Sequence, residues 1–518
     1  MAFIEITTNN LSRDLRNATT FQDNWAYVPG TSKTGDYKKP MYFTSLEEFQ
    51  SACGVGSPEG SITYEYVCGL LSSGIPVLFR RIACVGQDTS SEVLSVKKAE
   101  LILSHTDAET STKKNDVKIT EKYGGTYGNG LNITIKNTGS VYWLEVYLKY
   151  TRLERKKLIT VSPNESQLEI NQKLITALKN ADFERIDIEV LEEDASKFEL
   201  EIVTNAYLTG GADMDESLVP AEIANSFNFL KDKLLYQPKF LTSGGYTDTD
   251  PNSKAIAEAM IKLSLDRQDC RALIDLPIGT PAEEQQVLAQ ALSYQQLSNT
   301  QNIPSASICA PWQYMQVGTA TLWMPPSYAY LTVMGDSLSR GGKVYTPKAG
   351  IANGKINNVI RPEFEIGSDL LEQWQSDTEV NINPIMRLQG GRYIIAGNST
   401  ILMPESSEGE NNIFSESSAD LAVIEIRRFV YNLGMELRYQ YNASESFETF
   451  SLRTAKFLEA MKSENALSRY DIYNVSTNSD PRTLKIRLDV YLTPTIKKIE
   501  IYLNVSYSDV ELSLGGDR

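Results

Sequence analysis

His105 is the single histidine in 518 residues, and it stands in Ser104-His105-Thr106-Asp107, which holds the three residue types of a hydrolytic triad. No nucleophile-elbow pattern that would present such a serine occurs in the chain. The stretch therefore reads as a solvated surface turn. One histidine excludes every zinc site built on two. Cys53, Cys68, Cys84, Cys270 and Cys309 are scattered, with no C-x-x-C pair, so they read as small core residues rather than a disulfide framework or a metal cluster. Carboxylate pairs such as Glu47/Glu48 and Glu192/Glu193 read as solvated faces.

Two glycine-rich loops test the nucleotide reading, and both fail it. Gly124-Gly125-Thr126-Tyr127-Gly128-Asn129-Gly130 runs into strand-like Leu131 to Ile135, whereas a dinucleotide loop must open a helix. Gly341-Gly342-Lys343 lacks the required earlier glycine and has Val344 where a magnesium-binding hydroxyl belongs. With 66 acidic against 50 basic residues the net charge is -16, which argues against binding a phosphate backbone. No catalytic residue, metal or cofactor is expected, and no direct nucleic-acid contact. The N-terminal text has no basic-then-apolar leader, and no run of eighteen apolar residues occurs, so membrane insertion is not expected and the chain is expected to fold in a reducing cytosol. The 27 tyrosines suit interfaces as well as sheet cores.

The elements that must carry these residues imply a multidomain α+β protein, since the length exceeds one core. Ser45 and Glu48 have the spacing of a helix start, a second helix covers Ile62 to Leu71, and Ile75 to Ile82 is a buried strand. Residues 84–206 favour strands (Asp116 to Thr120, Leu131 to Lys136, Tyr142 to Lys149, Phe198 to Thr204), with one helix over Glu165 to Asn180, and read as an inserted mainly-β module. From 207 strands and helices alternate: a helix behind Pro220, strand Lys239 to Thr242, a helix through Ile256, Met260 and Leu263, strand Arg271 to Leu276, a helix from Thr280-Pro281 to Leu297, and strand Ala306 to Ala310. This is the pattern of a mixed α/β core with helices on the sheet. Gly335 to Asn353 reads as a loop. A strand at Arg392 to Ile395, helices from Arg428 to Tyr439 and from Leu452 to Lys462, and a closing hairpin make a C-terminal α+β domain. In that hairpin Ile486, Leu488, Val490 and Leu492 alternate on one strand and Ile499, Ile501, Leu503 and Val505 on the other, joined through Thr493-Pro494-Thr495. After Tyr507 the phase shifts, and Val510, Leu512 and Leu514 form a loose strand, mirrored at the other end by Ile4 and Ile6. The expected units are an arm over 1–20, a discontinuous core over 21–83 and 207–345, the inserted module over 84–206, an inner domain over 346–507, and an arm over 508–518. The loose strands either close within the monomer or pair with another copy.

Several stretches resemble the contractile tail sheath proteins of bacteriophages. They are Thr44 to Phe49 with Gly54, Gly74 to Val77 with Arg80-Arg81-Ile82, and Tyr123 to Leu131, which is the most specific. Leu208 to Asp213, Ala352-Asn353-Gly354, Asn381-Ile382-Asn383, Ala396 to Thr400, Ile424 to Phe429 with Arg427-Arg428, and Phe447-Glu448 follow in the family's order. Ala396-Gly397-Asn398-Ser399-Thr400 departs from the family's Trp-Gly-x-Arg-Thr, and Val505 to Ser508 replaces its apolar-proline ending, which leaves open a sheath of a pyocin, type VI or extracellular contractile injection system. The resemblance implies a structural subunit that polymerises with itself, as a helix or stacked hexameric rings, around an inner tail tube protein. Baseplate and tail terminator proteins would be its other partners. It implies assembly in the bacterial host cytoplasm, a place in the virion tail, and contraction that drives the tube through a target envelope for genome ejection. The arm residues Ile4, Ile6, Ile499, Ile501, Leu503, Val505, Val510, Leu512 and Leu514 would serve strand exchange, and Arg453, Lys456 and Lys462 the inner-tube contact. A non-contractile shell or adhesin protein is the alternative from another class.

Overall fold

The computed structural model describes residues 25–85, 93–106, 113–247, 254–297, 304–375, 381–402, 413–441, 444–476 and 483–496. Its centre is a nine-stranded sheet in the order Lys355–Ile356, Tyr393–Ile395, Ile382–Arg387, Ala306–Ala310, Arg271–Asp275, Phe240–Leu241, Ala26–Gly30, Val77–Arg81, Met41–Phe43. The six strands from Ile382–Arg387 to Val77–Arg81 are parallel, and the outer pairings on both sides are antiparallel. Parallel strands are covered on both faces and so are apolar at most positions. Alternation then decides only which helices each residue meets. Ala26, Val28, Val77, Phe79, Phe240 and Leu273 pack with the helices Leu46–Cys53, Thr63–Ser72 and Pro326–Ser339. Tyr27, Leu78, Leu241, Ala272, Ile274 and Ile308 pack with Val219–Ser226, Ala255–Arg267 and Ala282–Leu297. The strands Lys355–Ile356, Ile382–Arg387 and Tyr393–Ile395 join the same sheet, so the core continues past residue 345.

Three expectations need correction. The text from Gly335 to Asn353 is not all loop, because the helix Pro326–Ser339 runs through Gly335 and Gly350–Asn353 forms a further short helix. A Cβ at Gly335 would collide with the Ser73 carbonyl, and one at Gly69 with the Tyr328 ring, so both glycines serve close helix packing. The C-terminal helix begins at Ser417, not Arg428. Its first half is buried nearly all round, which erases the one-sided stripe that marks a surface helix. Phe198 to Thr204 forms no strand. Phe198 and Leu200 are buried in an irregular segment whose Val203 carbonyl accepts from the Ile135 N–H.

The inserted module packs two antiparallel sheets. One has the order Thr151–Thr160, Val141–Leu148, Leu131–Asn137, Ala206–Tyr207, and the other Ile186–Val190, Lys113–Glu121, Glu100–Thr106. They share a core with the helix Gln167–Lys179, which starts at a Ser166/Glu169 capping box. Neither Glu100–Thr106 nor Thr151–Thr160 is among the strands expected from the sequence; in the second, charged residues fill half of the positions.

Three sequence stretches far apart in the chain meet where this module joins the core. Arg81, at the end of its core strand and 1% exposed, donates to the carbonyls of Ser32 (3.2 Å), Gly35 (2.9 Å), Tyr123 (2.8 Å) and Gly124 (2.7 Å). Buried Glu121 accepts from the Gly124 N–H and from Thr34 Oγ1 at 3.1 Å. Asp213 accepts from the Thr126 N–H (2.8 Å) and hydroxyl (2.7 Å), and Asn129 exchanges two bonds with Gly211 (2.8 and 2.9 Å). Gly125 has φ +113°, and a Cβ there would strike the Lys33 carbonyl, so only glycine fits. Arg81→Met should strip four carbonyls of their donor and leave Glu121 buried without its counter-charge, a loss of about 3 to 5 kcal/mol for a broken buried ionic network. Limited proteolysis should then cut near residues 84–96 and 207–215 before the module itself, and an unchanged digestion pattern and melting point would show the neck to be dispensable.

Candidate functional site

His105 is not the solvated turn residue expected. It sits in the strand Glu100–Thr106, 13% exposed, with Nδ1 2.7 Å from Asp116 Oδ2. Asp116 is fully buried and also accepts the backbone N–H groups of His105 and Glu199, each at 3.2 Å. The pair ties two strands and an irregular segment together, a structural role. Among the described residues no group of histidine, cysteine, aspartate and glutamate could hold a metal. Lys343 forms no phosphate loop, since it pairs with Glu464 at 3.4 Å and its N–H binds Thr346 Oγ1 at 2.9 Å.

A parallel sheet offers ligands a crevice at the carboxyl ends of its strands where strand order reverses. Here that reversal flanks Ala26–Gly30, with Phe240–Leu241 on one side and Val77–Arg81 on the other. The crevice is filled by its own side chains. Glu216 accepts from Thr31 Oγ1 (2.6 Å) and the Tyr246 hydroxyl (2.9 Å), and Thr31 Oγ1 also lies 2.9 Å from Ser61 Oγ. Nearby, buried Asp275 accepts from the Ser327 N–H (2.8 Å) and hydroxyl (2.6 Å), and Ser327 meets the Tyr66 hydroxyl at 2.8 Å. The cavity beside Asp275 and Tyr246 has a volume of about 30 Å³, room for a water and not for a substrate.

Burial raises Glu216 above the usual carboxylate range and pushes Asp275 up to about 6 against the opposing Ser327 hydrogen bonds. The folded state then binds a proton to Asp275 more tightly than the unfolded chain. Its contribution to stability therefore falls as pH rises from about 4 to 6, and at neutral pH the buried charge is a net cost. Asp275→Asn should raise the melting temperature at pH 8 by the equivalent of at most ~3 kcal/mol, with the gain fading below about pH 4. A destabilised variant at pH 8 would mean that the ionised carboxylate is needed there.

Among the described residues the C-terminal part holds a small separate sheet. The strands Leu467–Asn474 and Ile486–Leu492 form a sheet of two, packed on the helices Ser417–Leu437 and Ser444–Ser463 through Ile426, Leu458, Met461 and Leu467. The closing strand therefore pairs with 467–474, a strand the sequence reading omits; its expected partner, Ile499 to Val505, lies outside the described residues. So do Ile4, Ile6, Val510, Leu512 and Leu514. Two strands are marginal alone, and the apolar Ile486, Leu488, Val490 and Leu492 stay only half-buried. The outer face carries Arg469 paired to Asp471 (2.7 Å) and Arg487 paired to Asp489 (2.8 Å), and hydrogen bonding from Arg487 holds Asp489 below its usual range. On Ser444–Ser463, Lys456 and Lys462 are exposed, Arg453 pairs with Glu436, and Leu452 is 74% exposed. These three cations and Leu452 thus stand on solvent-facing turns of one helix, away from its packed residues Phe450, Thr454, Leu458 and Met461.

The helix Ser417–Leu437 holds this part to the central sheet by buried polar ties. Glu425 pairs with fully buried Lys239, Asp420 lies 3.5 Å from Arg271, and Arg428 donates to the carbonyls of Gln237 (2.9 Å) and Asp269 (3.0 Å). The motif asparagines act likewise: Asn383 bonds the Ile308 carbonyl (3.0 Å) and both backbone groups of Ser399.

No protein-family model matches the chain, and no curated protein is a significant match. The structure resembles a sheath tail protein from Listeria innocua with a TM-score of 0.62 at 11% identity, covering 92% of this chain and 93% of that one. It also resembles a sheath tail protein from Desulfitobacterium hafniense with a TM-score of 0.56 at 10% identity, covering 96% and 98%. Over nearly its whole length, this chain has the fold of the sheath tail proteins.

Proposed function

We propose that the chain is the structural subunit of a contractile tail sheath and not an enzyme. The observation that carries this is the full-length likeness to sheath tail proteins, combined with a sheet crevice closed by its own side chains. Copies polymerise head to tail around an inner tube, since a heterologous contact that does not close generates a filament. The core over 21–83 and 207–345, its sheet extended by the strands Lys355–Ile356, Ile382–Arg387 and Tyr393–Ile395, and the rest of 346–507 form the wall. The module over 84–206 lies outside, attached through the Arg81 neck. Arms over 1–20 and 508–518 link neighbours by adding strands to unfinished sheets, where main-chain hydrogen bonds hold while subunits rotate. Baseplate and terminator proteins bound the tube, in a phage tail or a related injection machine.

Contraction needs no nucleotide. The extended lattice is a metastable packing that relaxes once released, and a few kcal/mol per subunit suffices because many move together. Arg453, Lys456 and Lys462 supply charge toward the tube.

Negative-stain microscopy of the purified chain should show long hollow cylinders, and a strictly monomeric protein would sink the reading. Deleting Ser508 to Arg518 should leave folded monomers that no longer polymerise. Reversing Arg453 and Lys456 to glutamate should leave empty cylinders intact but weaken co-assembly with the tube protein by about tenfold, the size of a 1.4 kcal/mol loss; undiminished co-assembly would move the tube contact elsewhere.

A further inference from the structure

The inserted module carries its charge in two blocks of opposite sign. Residues 136–157 hold six cations and two acids, and residues 182–201 hold nine acids and two cations, so charge is parted within one small unit and not spread over it. The fold puts the blocks on different sides. In the sheet of Leu131–Asn137, Val141–Leu148 and Thr151–Thr160, the residues Ile133, Ile135, Leu144 and Val146 enter the shared core and the alternate positions face outward. Lys136, Arg152, Arg155 and Lys157 stand exposed on that outer face, in register with Trp143, Glu145 and Tyr147, and exposed Lys149 lies in the hairpin turn.

The two acids of this block do not cancel its cations. Glu145 is buried beneath three of them, 2.8 Å from Lys136, 3.1 Å from Arg155 and 3.5 Å from Arg152. Glu154 is turned away, and its carboxylate accepts the N–H groups of Glu184 and Arg185. The Arg155 guanidinium lies 3.9 Å from the centre of the Trp143 ring, and Tyr150, at the hairpin turn, is 94% exposed. Arginine, tryptophan and tyrosine gathered on one exposed face match the composition of the energetic centres of protein contacts.

On the other sheet Ile186 and Val190 enter the core while Asp187 and Glu189 face outward, followed by exposed Glu193 and Asp194. The nearby cations are spent. Lys179 pairs with Glu193 (2.6 Å) and Lys197 with Asp194 (3.0 Å), Lys122 is shared between Asp182 (3.3 Å) and Asp187 (3.8 Å), and Arg185 donates to the carbonyls of Ser51 and Ala52. Acids therefore outnumber cations on this side.

We propose that the basic, aromatic face of Val141–Leu148 and Thr151–Thr160 docks on the acidic side, centred on Asp187 and Glu189, of the module in a second copy of this chain. This rests on the sheath reading and adds a contact between modules to the links made by the arms. The two patches turn away from one shared core, so they cannot meet within a chain. A ring or screw operation keeps every module at one radius, which brings like modules of successive copies together. A contact between two different patches is head to tail and repeats from copy to copy, as a filament requires. Opposite charge steers the encounter and fixes its register more than it adds affinity, so the contact can break and re-form as subunits shift.

Charge exchange in the full chain tests this. Lys149→Glu with Lys157→Glu turns the basic face toward acid, and Asp187→Lys with Glu189→Lys turns the acidic side toward base. All four side chains are exposed, so both variants should melt like the parent. If the first melts earlier, Lys149→Gln with Lys157→Gln replaces it, with a smaller loss expected in the same direction. Each variant alone should raise the concentration needed for sedimentable cylinders by about tenfold at low salt. An equal mixture of the two should restore the parent value, because every copy then meets a patch of opposite sign. The differences should vanish at about 1 M salt, where the screening length falls to about 3 Å. Unchanged assembly of both variants, or a mixture no better than either alone, would overturn the assignment and leave the sheath reading standing. So would a carboxylated polysaccharide that binds the parent and not the Lys149→Glu, Lys157→Glu variant while assembly is unaltered, since the face would then serve an external polyanion. A parent chain that forms no cylinders sinks both.

Discussion

The guanidinium of Arg81 is the contact on which the two halves of the molecule depend. It is buried at the end of a central parallel strand, and its donors serve carbonyls from the core loop at Ser32 and Gly35 and from the module loop at Tyr123 and Gly124. Planar, permanently charged and able to donate in five directions, arginine can knot several chain segments at one point, where lysine would offer a single mobile head. Glu121 balances the charge and Gly125 lets the backbone come close enough. An inserted module could otherwise hang on two unsupported links.

The same logic recurs at the other end of the sheet. Glu425, Asp420 and Arg428 on one long helix meet Lys239, Arg271 and the carbonyls that precede the strands at Phe240 and Arg271. Buried charges of this kind add little net stability over apolar packing, yet they admit only one arrangement. On the proposed reading, a subunit that transmits motion through a lattice benefits from such rigidity within itself. The two-stranded sheet is by contrast mostly half-buried or exposed.

The stretches that resemble sheath proteins therefore mark structure and not chemistry. Tyr123 to Leu131 and Leu208 to Asp213 are the two sides of the neck, and Asn381 to Asn383 with Ala396 to Thr400 closes one end of the sheet. His105, the most obvious candidate for catalysis, turned out to hold a strand pair through Asp116.

What the sequence determined by itself was whatever is local and periodic. The buried parallel strands at Arg271–Asp275 and Ala306–Ala310 and the amphipathic helix Gln167–Lys179 follow from neighbours within a few residues, as does the stretch Leu452 to Lys462 of the helix that begins at Ser444. Tertiary structure decided what depends on partners distant in sequence. Gly335 sits inside a helix because the Ser73 carbonyl packs where its Cβ would be, Ser417 to Ile426 shows no stripe because it is buried nearly all round, and Ile486–Leu492 pairs with 467–474 across a connection that no local pattern reports. Side-chain period tells which face of a strand is apolar. Which strand lies beside it is set by where the rest of the chain has already packed.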